Sequence, residues 1–576
     1  MKAFQLTLSF FLFCLLGYAQ KTATSQQIPL EIKEHMQQRV DAQVNVGIAT
    51  AYINGDHVDY HFVGSTDLNG QSPITKESIF EIGSITKTFA GILLADQILN
   101  GQMALDDPIS KYLPEDVKVP TRSGKEITLK DIITHSSGLS RLPDNMNPED
   151  PSNPYADYTV EQMYDFLARY ELPRDIGESY EYSNLAMGLF GHLLSLHTSK
   201  SFEELVVEKI AKPLGMDDTR INLSNTMQQH LAKGHSGFRE VSNWDMPTLA
   251  AAGGLRSSTE DMVTYVKANL GVIDSPIYDA MKMSHNVLFK NEGADMGMAW
   301  HQVTRDGVTY VNHGGGTGGY RTFIAFIKGS DKGVVVMSNS DDDISNIGRK
   351  LLDTRVELQM PKTPISHLIK TEIETNGIDA AISKTRKLFK EKSQDYNFDE
   401  SIINAQAYNY LRQDQNDIAL KLFKLNVEFY PSSSNPYDSL GEAYMKVTDT
   451  SSAIKNYKES LKLNPGNANA ATILKKLNVD VTELVKEVTL SQDVLKEYVG
   501  SYQLAPNFIL TVTTADGKLM AQATGQGKFE IFPSAKDKFY LKVVEARIEF
   551  NRDDAETVTS LTLFQNGAVM EAKKME

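Results

Sequence analysis

The sequence predicts an α/β sandwich, followed by an α-helical repeat segment and a small all-β domain. Three observations support this prediction. Strand-like runs occur near both ends of the first 360 residues, a period of 34 residues marks the segment 403–478, and alternating apolar runs follow residue 490. We therefore expect three folded units, at residues 28–360, 365–484 and 488–576.

The first unit reads as an antiparallel sheet built from both ends of the domain. Ile32, Met36 and Val40 recur at helical spacing, and the runs GIATAYI and HVDYHFV then flank the turn sequence NGD, which favours a hairpin. Far downstream, VTYVNH, YRTFIAFI and GVVVMSN read as three more strands before a helical stretch at 343–358. Residues 79–298 read mostly as helices and loops, which predicts a helical subdomain beside the sheet.

The second unit shows an internal repeat. An offset of 34 aligns small residues, aromatic residues and a closing proline, in the pairs Ala407/Gly441, Tyr410/Tyr444, Ala419/Ala453, Phe423/Tyr457 and Pro431/Pro465. This pattern is typical of tetratricopeptide (TPR) repeats, in which helical hairpins stack on one another. Two units are few for independent stability, so we expect capping helices at 365–400 and 468–484. The segment is either a groove for a partner protein or a spacer.

The third unit reads as a small antiparallel β domain. Leu510 and Val512 alternate, as do Phe539, Leu541 and Val543. A structural or lid-like module is the favoured interpretation, and a binding role is the alternative.

The composition is that of a globular protein. The formal net charge of −16 over 576 residues argues against nucleic acid and anionic membranes as partners. Cys14 is the only cysteine, so we expect no disulfide and no cysteine-ligated metal. The twelve histidines, His135 among them, show no zinc-binding pair and are interpreted as core or surface residues. No metal and no cofactor are predicted.

The first 19 residues resemble a signal peptide. Lys2 precedes an apolar run that ends at Leu16, and a small-x-small pattern ends at Ala19. An uncleaved membrane anchor is the alternative, but the run is shorter than the roughly 20 residues that a span requires. A lipid anchor at Cys14 is disfavoured by the bulky Phe13. We expect export to the periplasm or the extracellular space, with no stable membrane anchor after cleavage.

A candidate nucleophile lies in the segment FEIGSITKTFAGILL. Ser84 and Lys87 are three residues apart at the start of an amphipathic helix and so share one face. A neutral Lys87 can take the serine proton, provided that burial and nearby positive charge lower its pKa. The spacing by itself is a weak signal.

Two further sequence motifs strengthen the interpretation of Ser84 as a nucleophile. Tyr182 and Asn184 lie in EYSNLAMG, where a buried tyrosine can act as a phenolate base and later as an acid to the leaving group, and the amide can hold the lysine and a substrate amide. In VNHGGGTGGYRTFIAF, a strand edge begins at His313, and the glycines allow its backbone to approach a substrate.

These three elements, in this order, resemble the serine β-lactamase-like superfamily over residues 30–360. That superfamily includes class C β-lactamases, penicillin-binding carboxypeptidases, D-aminopeptidases and related esterases. The stretches LKDIITHSSGLSRLP, MDDTR and AAGGLRSSTEDM also resemble it. The resemblance implies that Ser84 is the nucleophile, that Lys87 and Tyr182 transfer protons, and that the N–H groups of Ser84 and Gly316 form the oxyanion hole. Asn184, His313 and Gly315 are then substrate-binding residues.

The third element departs from the pattern. Class C β-lactamases have Lys-Thr-Gly where this chain has His313, Gly314 and Gly315, so a fixed cation and a hydroxyl are missing. His313 is expected to be charged only below neutral pH. Arg321 either supplies the missing charge or points away from the site.

Three functions remain open. The chain is a hydrolase for β-lactams or D-amino-acid peptides, an esterase or amidase for small acyl substrates, or a binding or sensory protein without turnover that recruits a partner through the TPR-like segment. The substrate is a small molecule or a peptide in the first two cases.

Overall fold

The computed structural model describes residues 27–575, apart from 238, 292, 486–487, 506–507, 516, 525–527, 543, 545 and 566–567. The predicted signal peptide therefore lies outside the described residues. Within the described ranges, no helix combines the length and the apolar character needed to cross a lipid bilayer.

A seven-stranded antiparallel sheet is the centre of the first part of the chain. Its order is β2-β1-β11-β10-β9-β8-β7, so strands from both ends of the domain lie side by side, and β1 pairs directly with β11. The strands are β1 (Gly47–Asn54), β2 (His57–Gly64), β3 (Ile79–Glu81), β4 (Thr121–Arg122), β5 (Lys125–Glu126), β6 (Arg256–Ser258), β7 (Asp295–Met296), β8 (His301–Arg305), β9 (Val308–Gly316), β10 (Arg321–Ile327) and β11 (Lys332–Ser338). The predicted assembly of the sheet from both ends is confirmed, and β7 and β8 extend it beyond the predicted strands.

Helices cover both faces of this sheet. They are α1 (Leu30–Asp41), α2 (Thr86–Leu99), α3 (Leu129–Ile133), α4 (Val160–Arg169), α5 (Asn184–Thr198), α6 (Phe202–Val206), α7 (Lys212–Leu214), α8 (Asn225–His230), α9 (Ala250–Gly253), α10 (Thr259–Leu270), α11 (Tyr278–Ser284) and α12 (Ser345–Leu352). Helices α1 and α12 pack on one face through Ile32, Met36 and Ile347, and the other face is continuous with the core of the helical subdomain. Because both faces are buried, β1, β10 and β11 are nearly continuous apolar runs.

Antiparallel helices form the next segment. A short parallel pair, β12 (Thr363–Pro364) and β13 (Tyr396–Asn397), accompanies them. The helices are α13 (Ile365–Asn376), α14 (Ile378–Lys390), α15 (Glu400–Arg412), α16 (Asn416–Phe429), α17 (Ser434–Lys446), α18 (Thr450–Leu463) and α19 (Ala468–Lys476). Helices α17 and α18 begin and end 34 residues after α15 and α16, and the repeated alanines Ala419 and Ala453 are fully buried.

A closed eight-stranded antiparallel barrel ends the chain, preceded by α20 (Gln492–Glu497). Its strands are β14 (Gly500–Ala505), β15 (Phe508–Ala515), β16 (Lys518–Ala523), β17 (Lys528–Ala535), β18 (Lys538–Leu541), β19 (Ala546–Arg552), β20 (Val558–Gln565) and β21 (Ala568–Lys574). Apolar side chains such as Tyr502, Val512 and Phe550 form its core. The predicted all-β domain is thus a barrel, in which pairing of β14 with β21 leaves no open sheet edge.

Asp261 in α10 couples the stability of the first domain to pH. Its carboxylate accepts hydrogen bonds from the Asp218 N–H at 2.9 Å and the Thr219 hydroxyl at 2.8 Å. Burial nevertheless raises the pKa of Asp261 from 3.8 to about 7, so the folded protein retains a proton that the unfolded chain releases. The free energy of unfolding that this group contributes is therefore largest at low pH and falls as the pH rises through this window.

Asp261→Asn is expected to remove this pH dependence while keeping an oxygen acceptor for both hydrogen bonds. The variant should unfold about 5 °C higher than the native protein at pH 8, and the difference should vanish near pH 4. Thermal unfolding followed by near-UV circular dichroism at the two pH values measures it. Asp274→Asn, at an exposed position, is the matched control. An equal difference in unfolding temperature between Asp261→Asn and the native protein at both pH values would contradict the prediction.

Candidate active site

Ser84 lies in a tight turn between β3 and α2. Gly83 adopts a positive φ of 51°, and a Cβ atom at this residue would lie only 2.7 Å from the Gly316 amide nitrogen. Glycine is therefore required both for the backbone conformation and for the close approach of β9. The turn places the partly exposed Ser84 beside the end of β9 and at the start of α2.

Lys87 is fully buried below Ser84. Its Nζ donates a hydrogen bond to Ser84 Oγ at 2.9 Å and another to the Ala252 carbonyl in α9. Burial lowers the pKa of Lys87 well below its usual value, and the positive charge of Arg141 lowers it further. A lowered pKa favours the neutral amine, which can accept the proton of Ser84.

Tyr182 completes a group of three side chains. The centre of its ring lies 4.9 Å from Lys87 Nζ, and its hydroxyl group lies near the Ser84 side chain. Burial raises the pKa of Tyr182, although the Ser84 side chain and the charge of Arg141 oppose the rise. A hydroxyl group with a raised pKa stays protonated near neutral pH and can donate a proton.

The segment between α3 and α4 holds the Tyr182 loop in place. The Ser183 N–H donates to His135 Nδ1 at 3.2 Å, and the Ser183 hydroxyl donates to the Ser140 carbonyl at 2.7 Å. The Asn184 N–H donates to the Arg141 carbonyl at 3.0 Å. The ring of His135 lies 4.5 Å from that of Tyr182. Contacts from the stretch THSSGLSR therefore fix the position of the phenol.

Neutral histidines line the same region. Burial lowers the pKa of His135, His301 and His313, in the case of His301 to about 4. His313 is only 2% exposed and has Lys87 and His301 nearby, so it becomes charged only at a pH still lower than its ordinary pKa led us to expect. His313 Nδ1 donates to the Gly314 carbonyl at 2.7 Å, while Nε2 is buried without a hydrogen-bond partner among the described residues. His313 does not replace the missing cation.

The end of β9 is an open strand edge beside Ser84. Strand β8 pairs only with residues 308–312 of β9, whereas β10 pairs as far as Gly316. In the part of the chain that the structure describes, residues 313–316 thus have a strand neighbour on one side only. Gly315 touches the segment before the nucleophile, since a Cβ atom there would lie 2.0 Å from the Ile82 carbonyl oxygen. An extended substrate can use such an edge for backbone hydrogen bonds.

Asn184 is the first residue of α5 and is 9% exposed. Its Oδ1 is buried and has no hydrogen-bond partner within the described ranges. A buried amide oxygen in this state can accept a hydrogen bond from a substrate or a water molecule.

Arg321 faces the other side of the sheet from His313. It pairs with Gly316, whereas His313 pairs with Ile324, which belongs to the core shared with the helical subdomain. Its guanidinium donates to the carbonyls of Thr317 and Tyr320, both at 3.0 Å. These contacts hold the loop after β9, so Arg321 stabilises the strand end.

Among the described residues, no cluster of three or more His, Cys, Asp or Glu side chains has the arrangement of a metal site.

The structure brings Ser84, Lys87, Tyr182, His313 and the β9 glycines together, as the sequence motifs led us to expect. Sequence reasoning missed His135, Arg141, Tyr180 and His301. The stretch THSSGLSR was a signal for the first two, whereas Tyr180 and His301 are joined only by a 3.1 Å hydrogen bond across the fold.

A serine hydroxyl bonded to a buried lysine, beside a glycine-rich strand edge in an α/β sandwich, defines a serine hydrolase. The sequence model of the Beta-lactamase family matches residues 32–352, and the chain belongs to this family. A second model, a domain of unknown function called DUF3471, matches residues 485–574, which include the barrel.

Curated relatives agree with this assignment. A β-lactamase of Pseudomonas fluorescens is 26% identical over 331 residues, which cover 51% of this chain and 88% of that protein. The D-alanyl-D-alanine-carboxypeptidase/endopeptidase AmpH of Escherichia coli K12 is 28% identical over 310 residues, covering 50% of this chain and 78% of that protein. The solved β-lactamase/D-alanine carboxypeptidase from Yersinia pestis, complexed with citrate, has the same fold, with a TM-score of 0.50 at 23% identity over 57% of this chain and 98% of that structure.

Proposed function

We propose that this protein is an exported hydrolase that cleaves amide or ester bonds through an acyl-enzyme on Ser84. The observation that carries the proposal is the 2.9 Å hydrogen bond from the fully buried Lys87 to Ser84 Oγ. Export is inferred from the signal-peptide pattern of residues 1–19.

The proposed reaction has two stages. Neutral Lys87 takes the proton of Ser84 as Oγ attacks the substrate carbonyl carbon, and the N–H groups of Ser84 and Gly316 stabilise the resulting oxyanion. Tyr182, held as a phenol by its raised pKa, protonates the leaving group, so the bond to the carbonyl breaks and an acyl-enzyme remains. A water molecule then hydrolyses the ester on Ser84 and gives its proton to the Tyr182 phenolate, while Lys87 returns the proton of Ser84. Asn184 Oδ1, His313 and Gly315 line the substrate side of this centre.

The substrates that we favour are D-amino-acid peptides or β-lactams, in keeping with the names of the relatives. A small-ester substrate is the second candidate, because His313 is neutral and the chain lacks the Lys-Thr-Gly cation. A non-catalytic sensor is disfavoured, since Ser84, Lys87 and Tyr182 lie together and Ser84 is partly exposed beside the open edge of β9.

An intact-mass time course with benzylpenicillin tests the proposal. We expect a penicilloyl mass increase on the native protein and none on Ser84→Ala. Disappearance of the adduct would identify β-lactamase turnover, and persistence would identify penicillin-binding behaviour. If neither penicillin nor an activated ester gave a Ser84-dependent adduct, the proposed function would be wrong.

The other two parts of the chain support a narrower proposal. We propose units at 28–360, 365–484 and 488–576, with tetratricopeptide-like packing in the second. The support is the 34-residue spacing of α15–α18 and the packing of Gly441 against Tyr457, whose ring lies 3.1 Å from where a Cβ atom would stand. A protein partner for these hairpins stays a prediction.

A further inference from the structure

Arg141 is an unpaired cation at the mouth of the active site. It follows α3 in the loop that holds Tyr182, and its side chain is exposed. The Arg141 carbonyl accepts the N–H groups of Asn184 and Leu185, at 3.0 and 3.2 Å, so its backbone is fixed to the start of α5. Its guanidinium carbon lies 5.1 Å from the centre of the Tyr182 ring. The loop therefore presents this cation to the reacting groups from a well-defined position.

No side chain in the described ranges neutralises this charge. The Arg141 guanidinium makes neither a hydrogen bond nor an ion pair there, and its one recorded contact is the face of Tyr182. Other arginines of the helical subdomain are paired: Arg169 with Asp144, Arg174 with Glu181 and Arg122 with Asp175. Arg220 and Arg239 form no ion pair in the described ranges but donate hydrogen bonds, so Arg141 differs from them in having neither.

The charges around Arg141 also leave it without a counter-ion. Arg141 shifts the pKa values of Lys87, His135, Tyr155, Tyr180 and Tyr182. None of these groups is negatively charged near neutral pH. A planar guanidinium with free donors matches a carboxylate, which it can bind through two parallel hydrogen bonds. Such a contact would place the anion on the Tyr182 side of the cleft, whereas the family pattern has its cation on the strand at the position of His313.

We propose that Arg141 binds a carboxylate of the substrate and makes the enzyme selective for anionic substrates. This inference rests on the proposed function and deepens it. It assigns the recognition of an acid to a residue outside the His313-Gly314-Gly315 triplet, which is where the sequence lacks a cation. Arg141 is then a specificity-determining residue, and the carboxylate belongs either to the acyl part or to the leaving group.

Matched pairs of esters test the proposal and distinguish these two positions. The acyl pair is mono-4-nitrophenyl glutarate and 4-nitrophenyl valerate, and the leaving-group pair is 4-acetoxybenzoate and phenyl acetate. We expect kcat/KM to favour the acid in at least one pair. Arg141→Gln should reduce that preference by about tenfold to a hundredfold, mainly through KM, as expected for loss of a hydrogen-bonded charge. Arg141→Lys should retain part of it.

Arg169→Gln is the matched control, because it removes an exposed arginine of the same subdomain that is paired with Asp144. It should leave both preference ratios unchanged. If Arg141→Gln slowed the acid and the neutral ester by the same factor, Arg141 would act only through the protonation of Lys87, and carboxylate binding would be wrong. Absence of any preference for the acid in the native protein would also overturn it.

A binding measurement gives a result even where turnover is slow. Phenylboronic acid adds to a nucleophilic serine by forming a boron–oxygen bond, and 3-carboxyphenylboronic acid adds a carboxylate to the same probe. The native protein should bind the carboxylated compound more tightly, and Arg141→Gln should lose that advantage. Ser84→Ala should bind neither compound. Ser84-dependent binding without any preference contradicts the inference alone, whereas absence of Ser84-dependent binding and hydrolysis contradicts the proposed function as well.

Discussion

Replacing Lys87 with methionine is expected to lower kcat/KM for an activated ester by about 10³-fold. The amine lies 2.9 Å from Ser84 Oγ, and its full burial excludes bulk water from this role. Methionine has a similar length and suits an apolar pocket, so the fold should be retained. The measurement is steady-state hydrolysis of a 4-nitrophenyl ester, with circular dichroism to confirm folding.

The pH profile provides a sharper form of this prediction. Because burial and the charge of Arg141 lower the pKa of Lys87, the neutral and active form should dominate from a lower pH than for an ordinary lysine. The native kcat/KM should therefore rise with pH through the Lys87 pKa and reach a plateau. The residual kcat/KM of Lys87→Met should not show this rise with pH.

Lys125→Met, at an exposed position in the β4–β5 hairpin, is the control and should behave like the native protein. A Lys87→Met variant with the native rate and the native acidic limb would show that Tyr182 or a water molecule serves as the base.

The centre of the site could be predicted from the sequence because its parts are short and local. Ser84 and Lys87 lie one helical turn apart, and glycines stand where backbone segments approach each other closely, so the local sequence indicates the chemistry of the site. The central strands were also visible, since burial on both faces requires continuous apolar runs. The helices α15–α18 also follow the 34-residue spacing of the sequence, whereas tetratricopeptide-like packing stays a prediction.

The features of the site and of the fold that could not be predicted depend on contacts between segments that are distant in sequence. The pKa of His313 depends on its burial beside Lys87 and His301, which no local pattern encodes. The missing partner of Arg141 is a property of the folded subdomain, because many charged residues lie near it in sequence. Closure of the barrel needs pairing of β14 with β21, about seventy residues apart, and alternation within each strand does not specify its partners.

The arrangement of charge at the site follows from this folding. The core of the helical subdomain encloses Lys87, and the nearby histidines are neutral. Among the described residues the hydrogen bonds of the amine go to Ser84 and the Ala252 carbonyl, and not to a carboxylate that would hold its proton. Arg141 adds positive charge from the mouth of the cleft. The same cation therefore favours a neutral base in the free enzyme and an anion in the substrate, which links specificity to the activation of Ser84.

Gly315→Ala is expected to reduce kcat/KM by about a hundredfold through geometry alone. The added methyl group would lie 2.0 Å from the Ile82 carbonyl oxygen and 2.3 Å from Thr322 Oγ1. The Ile82 oxygen belongs to the backbone and cannot rotate away, so β9 must move from the segment that carries Ser84. This movement would separate the N–H groups of Ser84 and Gly316, which the proposed oxyanion hole requires to be close together.

Gly314→Ala provides the matched control one residue earlier on the same strand. Its Cβ atom would face the opposite side of the sheet, and its nearest neighbour would be the Thr322 carbonyl oxygen at 3.7 Å, an ordinary contact distance. We expect less than about a twofold change in rate for this variant, and a loss of about 1–3 kcal/mol in unfolding free energy only for Gly315→Ala. Ester hydrolysis and thermal unfolding of both variants measure the difference. Equal behaviour of the two alanines would mean that the approach of β9 to Ile82 does not hold the site together, because only residue 315 faces that contact.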